Sequence, residues 1–190
     1  QALGKLGIEI VRGEAALRVD EAEKIAGNLG YPVVVRPAYT LGGTGGGFAY
    51  NVEELRTIAA RGIAASMIGQ VLIEESVLGW EELELEVVRD AKNQMITVCF
   101  IENVDAMGVH TGDSYCTAPM MSIDADLQDR LQRFSYAIVE AIEVIGGTNI
   151  QFAHDPATGR IVVIEINPRT SRSSALASKA TGFPIALVSS

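Results

Sequence analysis

The sequence predicts an α+β protein of two successive lobes, the second built on a largely antiparallel sheet. Three observations carry this. Short apolar or β-branched runs alternate with helical patterns through the first 76 residues. Residues 82–88 and 95–102 are strand-like runs separated by a turn, the first with a clear period of two. A long helical pattern over 124–145 then precedes two further strand-like runs joined by Asp155-Pro-Ala-Thr-Gly159. The division falls at about residue 76, so that about 1–76 forms a small lobe and about 77–190 a second one.

Each element has a local reason. Ala22, Ile25, Ala26 and Leu29 stand at helical spacing, with Asp20 as the expected cap and Gly30 as the stop. Tyr31-Pro-Val-Val-Val-Arg36 reads as a buried strand. Five glycines occupy six positions in 42–47, and Phe48-Ala-Tyr50 leaves room for a brief strand. Asn51 caps the next helix, with Glu54 as its capping-box partner, and that helix runs to about Arg61. Residues 70–76 form a strand with an acidic end. Glu82, Glu84 and Glu86 alternate with Leu83, Leu85 and Val87, which predicts a strand with one wet face. Asp90-Ala-Lys-Asn93 turns it into a hairpin. Leu127, Leu131, Phe134, Ile138, Ile142 and Ile145 lie near one face of the long helix, which Gly146-Gly147 ends. Residues 149–154 and 160–167 are the last strands.

Composition bounds the function. With 48% apolar and 21% charged residues in 190, the chain can build a core and is not a disordered segment. No apolar run approaches the roughly 20 residues that span a bilayer. Fifteen Lys+Arg against twenty-four Asp+Glu give a net charge of −9, which lacks the electrostatic footprint of a nucleic-acid binder. Cys99 and Cys116 are expected as buried apolar thiols, and two scattered histidines with two cysteines argue against zinc. The start, Gln-Ala-Leu-Gly-Lys, has no signal-peptide pattern and no initiator Met. The expectation is a segment of a longer cytoplasmic chain.

Several motifs suit phosphate chemistry. A glycine-rich loop lets backbone N–H groups approach phosphate oxygens, or forms a plain hairpin tip; Arg36, at the end of the preceding strand, favours phosphate. The loop matches neither a P-loop nor a dinucleotide fingerprint. In Ile164-Glu-Ile-Asn-Pro-Arg169, residues at i, i+2 and i+4 share a face. Glu165, Asn167 and Arg169 then point one way, while Ile164 and Ile166 face the core. Glu165 and Asn167 offer hard oxygens for Mg²⁺ or Mn²⁺, and the 155–159 turn brings Gln151 near Glu165. Glu74-Glu75-Ser76-Val77 with Glu82 reads as a charged strand end or as an adenine and ribose contact. Gly108-Val-His110-Thr-Gly-Asp113 binds a phosphate or caps a turn. His154 reads as a surface residue. Arg172 and Lys179 add positive charge around a helix over 173–180, preceded by the loop 170–172.

Together Arg36-Pro-Ala-Tyr-Thr-Leu-Gly-Gly43, Gly108-Val-His-Thr-Gly-Asp113-Ser and the stretch from Glu165 to Gly182 resemble the large subunit of carbamoyl-phosphate synthases. The resemblance implies an ATP-grasp fold, in which two α+β lobes hold ATP. Gly45-Gly46-Gly47 and Ser171-Arg-Ser-Ser-Ala-Leu176 are similar to the amino-terminal half, which uses MgATP to phosphorylate bicarbonate to carboxyphosphate. It further implies that Arg36, Gly42 and Gly43 meet the ATP phosphates, and that Glu75 and Val77 sit at the adenine edge. Glu82 would take the ribose, while Gly108, Val109 and His110 line the nucleotide. Gln151, Glu165 and Asn167 would hold two Mg²⁺ or Mn²⁺ ions, and Arg169 the transferred phosphoryl group or bicarbonate. The implied partners are the remainder of the large subunit and a glutaminase small subunit, in pyrimidine and arginine biosynthesis. Other ATP-grasp carboxylate ligases usually carry a lysine where this chain has Arg36 and lack the Ser-Arg-Ser-Ser tract; a silent nucleotide-binding module would be free to lose the metal ligands.

Overall fold

The computed structural model describes Gly4 and residues 6–39, 45–108, 114–170 and 172–189. The chain divides into two compact units, Val11–Val77 and Gln1–Ile10 with Leu78–Ser190. The first ten residues therefore belong with the second unit, not with the glycine-loop lobe as the sequence predicts. The reason is a strand: β1 (Glu9–Ile10) pairs parallel with Val162 and Val163, and Arg160 Nε donates to Glu9 at 2.6 Å.

The smaller unit contains β2 (Gly13–Ala16), α1 (Val19–Leu29), β3 (Val33–Pro37), β4 (Gly47–Ala49), α2 (Val52–Ala65) and β5 (Val71–Glu75). Its four strands form an antiparallel sheet in the order β2-β5-β3-β4. Period-two alternation turns Val33, Val35, Val71 and Ile73 toward Ala22, Ile25, Ala26, Leu55 and Ala59 of the two helices. Asp20 is not the cap of α1. Arg18 holds that position without a side-chain bond, and Asp20 lies in the first turn, paired with Arg18 at 2.8 Å. Asn51 does cap α2: its Oδ1 accepts from the Glu54 N–H at 2.9 Å. Glu54 reaches back to the Tyr50 N–H, one residue earlier than the usual capping box.

Gly62 explains how α2 lies so close to the sheet. A Cβ there would stand 2.9 Å from Val71 Cγ1 and 3.2 Å from Pro37 Cγ. Alanine is worth about 1 kcal/mol over glycine inside a helix, but overpacking costs about 1–3 kcal/mol. Gly62→Ala is therefore expected to lower stability by about 1 kcal/mol. Gly27→Ala in α1, with nothing within 4 Å of its Cβ, is expected to raise it by up to about 1 kcal/mol. Urea denaturation of the two variants checks the opposite signs; a gain for Gly62→Ala would show that the contact relaxes without cost.

The larger unit continues with β6 (Glu81–Arg89), β7 (Met95–Asn103), β8 (Cys116–Thr117), α3 (Ala125–Ala141), β9 (Gly146–Asp155), β10 (Arg160–Asn167), α4 (Arg172–Thr181) and α5 (Ile185–Val188). Its six strands run β1-β10-β9-β6-β7-β8, antiparallel except for β1. The Asp90 turn closes the β6–β7 hairpin, with the Asn93 N–H on the Asp90 carbonyl. One sheet face buries Leu83, Leu85, Val87, Ile150, Phe152, Ile161 and Val163 against Leu127, Leu131, Ile138 and Val139 of α3. Asp124 caps that helix, accepting from the Leu127 N–H at 2.7 Å. The helix stops at Ala141, short of the predicted 145, where Glu143 adopts a positive φ of 56°. Ile142 and Ile145 lie beyond it and are exposed, and Gly146-Gly147 open β9 instead of ending α3. Cys99 is buried as expected, but Cys116 is exposed. Among the described residues, no helix is long and apolar enough to cross a membrane.

Candidate active site

The sheet face opposite α3 carries the polar residues. Antiparallel partners point to the same side, so register decides which side chains meet. Gln151 stands between Glu84 of β6 and Glu165 of β10; Asn149 stands between Glu86 and Asn167. Glu165 reaches this face through a β-bulge. Val163 opposes Phe152 and Glu165 opposes Gln151, which leaves Ile164 as the extra residue. Val163 and Ile166 pack with the α3 core, while the half-buried Ile164 occupies the bulge, not the core position predicted for it.

Gln151, Glu165 and Asn167 are thus brought together in neighbouring register positions. Glu165 is exposed, and Gln151 and Asn167 are half-buried. Arg169 follows, exposed, its Nη2 3.4 Å from Asn167 Oδ1. One carboxylate and two amide oxygens are hard donors that suit Mg²⁺, which keeps its other positions for water and phosphate oxygens. Among the described residues no three His, Cys, Asp or Glu side chains are grouped to hold a metal. These residues therefore fit a cation that arrives with the oxygens of an anionic ligand, not a dedicated protein cage.

The glutamate stripe of β6 is not wet. Glu82, Glu84 and Glu86 are 4%, 2% and 1% exposed. Period two reports which side a residue faces, not what covers that side; Ser173 and Ser174 of α4 reach Glu86, while Ala177 of α4 and Ile185 of α5 pack with Val88, Cys99 and Ile101. Buried carboxylates need donors, and Glu84 and Glu86 have them. Asn149 Nδ2 donates to Glu84 at 2.9 Å and to Glu86 at 3.0 Å, and Asn103 Nδ2 donates to Glu84 at 3.0 Å. Glu86 also accepts from Ser173 Oγ at 2.7 Å and Ser174 Oγ at 2.9 Å. Burial pushes the Glu86 carboxyl up, against those hydrogen bonds, and the charge of Glu84 adds to the rise. The sequence reading missed Glu84, Glu86, Asn149 and the two serines as a group. The available signal was a third carboxylate in register with the metal strand.

In the smaller unit Arg36 is the penultimate residue of β3, with a 62% exposed side chain and its Nε 2.8 Å from Glu74 Oε2. Solvent at the guanidinium side screens its attraction to the half-buried Glu74, which leaves Arg36 open to a stronger anion. It borders a cavity of about 450 Å³ with Val34, Pro37, Tyr39, Gly47 and Phe48. Glu75 is buried, and its carboxylate accepts from the Arg12 backbone N–H at 2.8 Å and from Arg12 Nε at 2.7 Å. Half-buried Val77 is the last residue of this unit.

In the larger unit Gly108 has φ +119°, a backbone conformation that L side chains rarely adopt, so the position favours glycine. The Met107 N–H donates to the Trp80 carbonyl at 2.8 Å and holds this turn. Gly42, Gly43, Val109 and His110 lie outside the described residues. His154, expected at the surface, is 12% exposed in its side chain and lies 2.7 Å from Glu81 Oε2.

The profile of the family described as "Carbamoyl-phosphate synthase L chain, ATP binding domain" matches residues 1–190. The chain belongs to this family. It is 58% identical over 189 residues to the carbamoyl phosphate synthase large chain of Archaeoglobus fulgidus, covering 99% of this chain and 18% of that one. It is 55% identical over 188 residues to the large chain of Xanthomonas campestris, covering 98% and 17%. The chain thus spans under a fifth of the curated relatives it matches. Among solved structures, the biotin carboxylase–β-γ-ATP complex of Campylobacter jejuni superposes with a TM-score of 0.82 at 21% identity, covering 98% of this chain and 42% of that one. N5-carboxyaminoimidazole synthetase of Staphylococcus aureus, solved with ADP, gives 0.78 at 20% identity, covering 99% and 48%. The fold of this family member is ATP-grasp, as the resemblance implied.

Proposed function

We propose that the chain is the ATP-grasp domain of the amino-terminal half of a cytoplasmic carbamoyl-phosphate synthase large chain, an ATP-dependent ligase. Its reaction is phosphorylation of bicarbonate: a bicarbonate oxygen bonds to the γ-phosphorus, the bond to the β,γ-bridging oxygen breaks, and ADP leaves with that electron pair. Carboxyphosphate then goes on to carbamoyl phosphate, with nitrogen from glutamine or ammonia, for pyrimidine and arginine biosynthesis. The partners in this reading are the rest of the large chain and a glutaminase small subunit. The observation that carries the proposal is the register-matched oxygen set of Gln151, Glu165 and Asn167, with Arg169 beside it, on a chain of this family.

Phosphoryl transfer asks a protein mainly to position groups and balance charge. Arg36, Gly42 and Gly43 take the phosphates. Val77, Gly108, Val109 and His110 line the nucleotide, and Glu82 takes the ribose hydroxyls. The Glu75 carboxylate is engaged by Arg12, so its part at the adenine edge is to hold the end of β5 in place. Gln151, Glu165 and Asn167 hold Mg²⁺ or Mn²⁺, two ions per site, which neutralise phosphate charge when bound. Arg169 steadies the transferred phosphoryl group or bicarbonate.

Calorimetric titration of this chain with a non-hydrolysable ATP analogue tests the reading. Binding is expected to require Mg²⁺; metal-independent affinity would count against the oxygen set. A hydrogen bond to a charged group is worth about 1.5–3 kcal/mol. Arg36→Ala is therefore expected to weaken the analogue about 10- to 100-fold, and adenosine less than about twofold. Equal losses for both ligands would make Arg36 a structural residue.

A further inference from the structure

We propose that Glu86 is a positioning residue for Arg169, holding the strand paired with Asn167 on one side and the helix that follows Arg169 on the other. Arg169 lies two residues after Asn167 and four before Ser173. On the near side, Glu86 accepts from Asn149, the strand partner of Asn167. On the far side it accepts from Ser173 and Ser174, in the first turn of α4. One carboxylate thus ties β9, at the residue paired with Asn167, to the start of the next helix. The Ser-Ser pair acquires a purpose that neither helix propensity nor solvation supplies, since Ser174 is only 3% exposed. Glu86 is itself buried, so the grip sits in a dry environment where each hydrogen bond counts for more.

The alternatives for this carboxylate are weaker. A cation site would need further anionic or vacant oxygens, but both Glu86 oxygens already receive protein donors. A purely cohesive role is served as well by apolar packing, because a buried polar group is no gain over a well-packed apolar one. What apolar packing does not supply is direction, and the residues held here flank a guanidinium whose placement decides phosphoryl transfer. The proposal rests on the reading that Arg169 serves that transfer.

The test uses the full-length large chain and bicarbonate-dependent ATP hydrolysis. Glu86→Ala would remove the shared acceptor of Asn149, Ser173 and Ser174 and risk misfolding, so the informative variant is Ser173→Ala/Ser174→Ala, with Ser173→Thr/Ser174→Thr to restore the hydroxyls. A misplacement of about 1 Å can cost about 100-fold, so kcat is expected to fall about 10- to 100-fold in the alanine pair. KM for ATP should stay within about twofold, and the threonine pair should recover to within about threefold of the parent. Parental kcat in the alanine pair overturns the proposal. So does a parallel loss of kcat, ATP affinity and thermal midpoint that threonine does not rescue, since that is the mark of general destabilisation. Arg169→Ala in the same assay separates the two layers. A slow Arg169→Ala with a fast serine pair sinks the positioning role alone; a fast Arg169→Ala sinks the reading beneath it.

Discussion

Glu165→Ala in the full-length chain is expected to lower bicarbonate-dependent ATP hydrolysis by about 100- to 1,000-fold. The estimate follows from the several kcal/mol that a held metal ion contributes to such transfers, at about 1.4 kcal/mol per tenfold. Glu165 supplies the only full negative charge in the set with Gln151 and Asn167, so its loss leaves two amide oxygens to hold a dication. Glu165→Gln should lie between the two, keeping an oxygen but not the charge. The side chain is exposed, so the thermal midpoint should not move. Titrating activity against Mg²⁺ for the three proteins is the decisive measurement. Parental turnover with unchanged Mg²⁺ dependence would remove Glu165 from the metal site.

Phe152→Ala is expected to give the largest stability loss, about 3–5 kcal/mol. Phe152 is fully buried on β9, with Leu83 and Val163 as its strand partners, on the face packed by α3. Domains of this size have a total stability of about 5–15 kcal/mol, so the variant should unfold at a much lower urea concentration. A loss below about 1.5 kcal/mol would mean that α3 and the sheet collapse readily into the vacated volume.

Much of this architecture was legible because local chemistry and burial agree. Val33, Val35, Val71 and Ile73 alternate inward as their period demands, and Asn51 and Asp124 cap the helices they precede. Gln151 was expected near Glu165, and the register sets the two opposite each other. What escaped the sequence is non-local. Whether Glu86 meets water depends on α4, whose Ser173 and Ser174 donate to it from 87 and 88 residues away in the chain. Whether residues 1–10 join the first or second unit depends on an edge of β10 that their own sequence does not describe. Asp20 illustrates the limit of cap rules: an acidic side chain is as favourable inside the first turn as before it. The Glu86 grip needed three elements at once, and no spacing within any one of them announces it.

The bulge at Ile164 has a consequence for how this strand tolerates change. It acts as a phase shifter between two codes written on one segment: up to Val163 the odd positions answer to the α3 core, and from Glu165 onward they answer to the polar face. Substitutions within β10 alter one side chain at a time. Were Ile164 paired regularly in the ladder, Glu165 would fall in phase with Val163, its carboxylate on the Phe152 side and Ile166 outward; deleting Ile164 would leave both faces as they are. The two faces of the strand therefore depend on the bulge being kept as long as Ile164 is there. A residue with no chemical role of its own, Ile164, keeps the chemistry pointing to the polar face by standing outside the ladder.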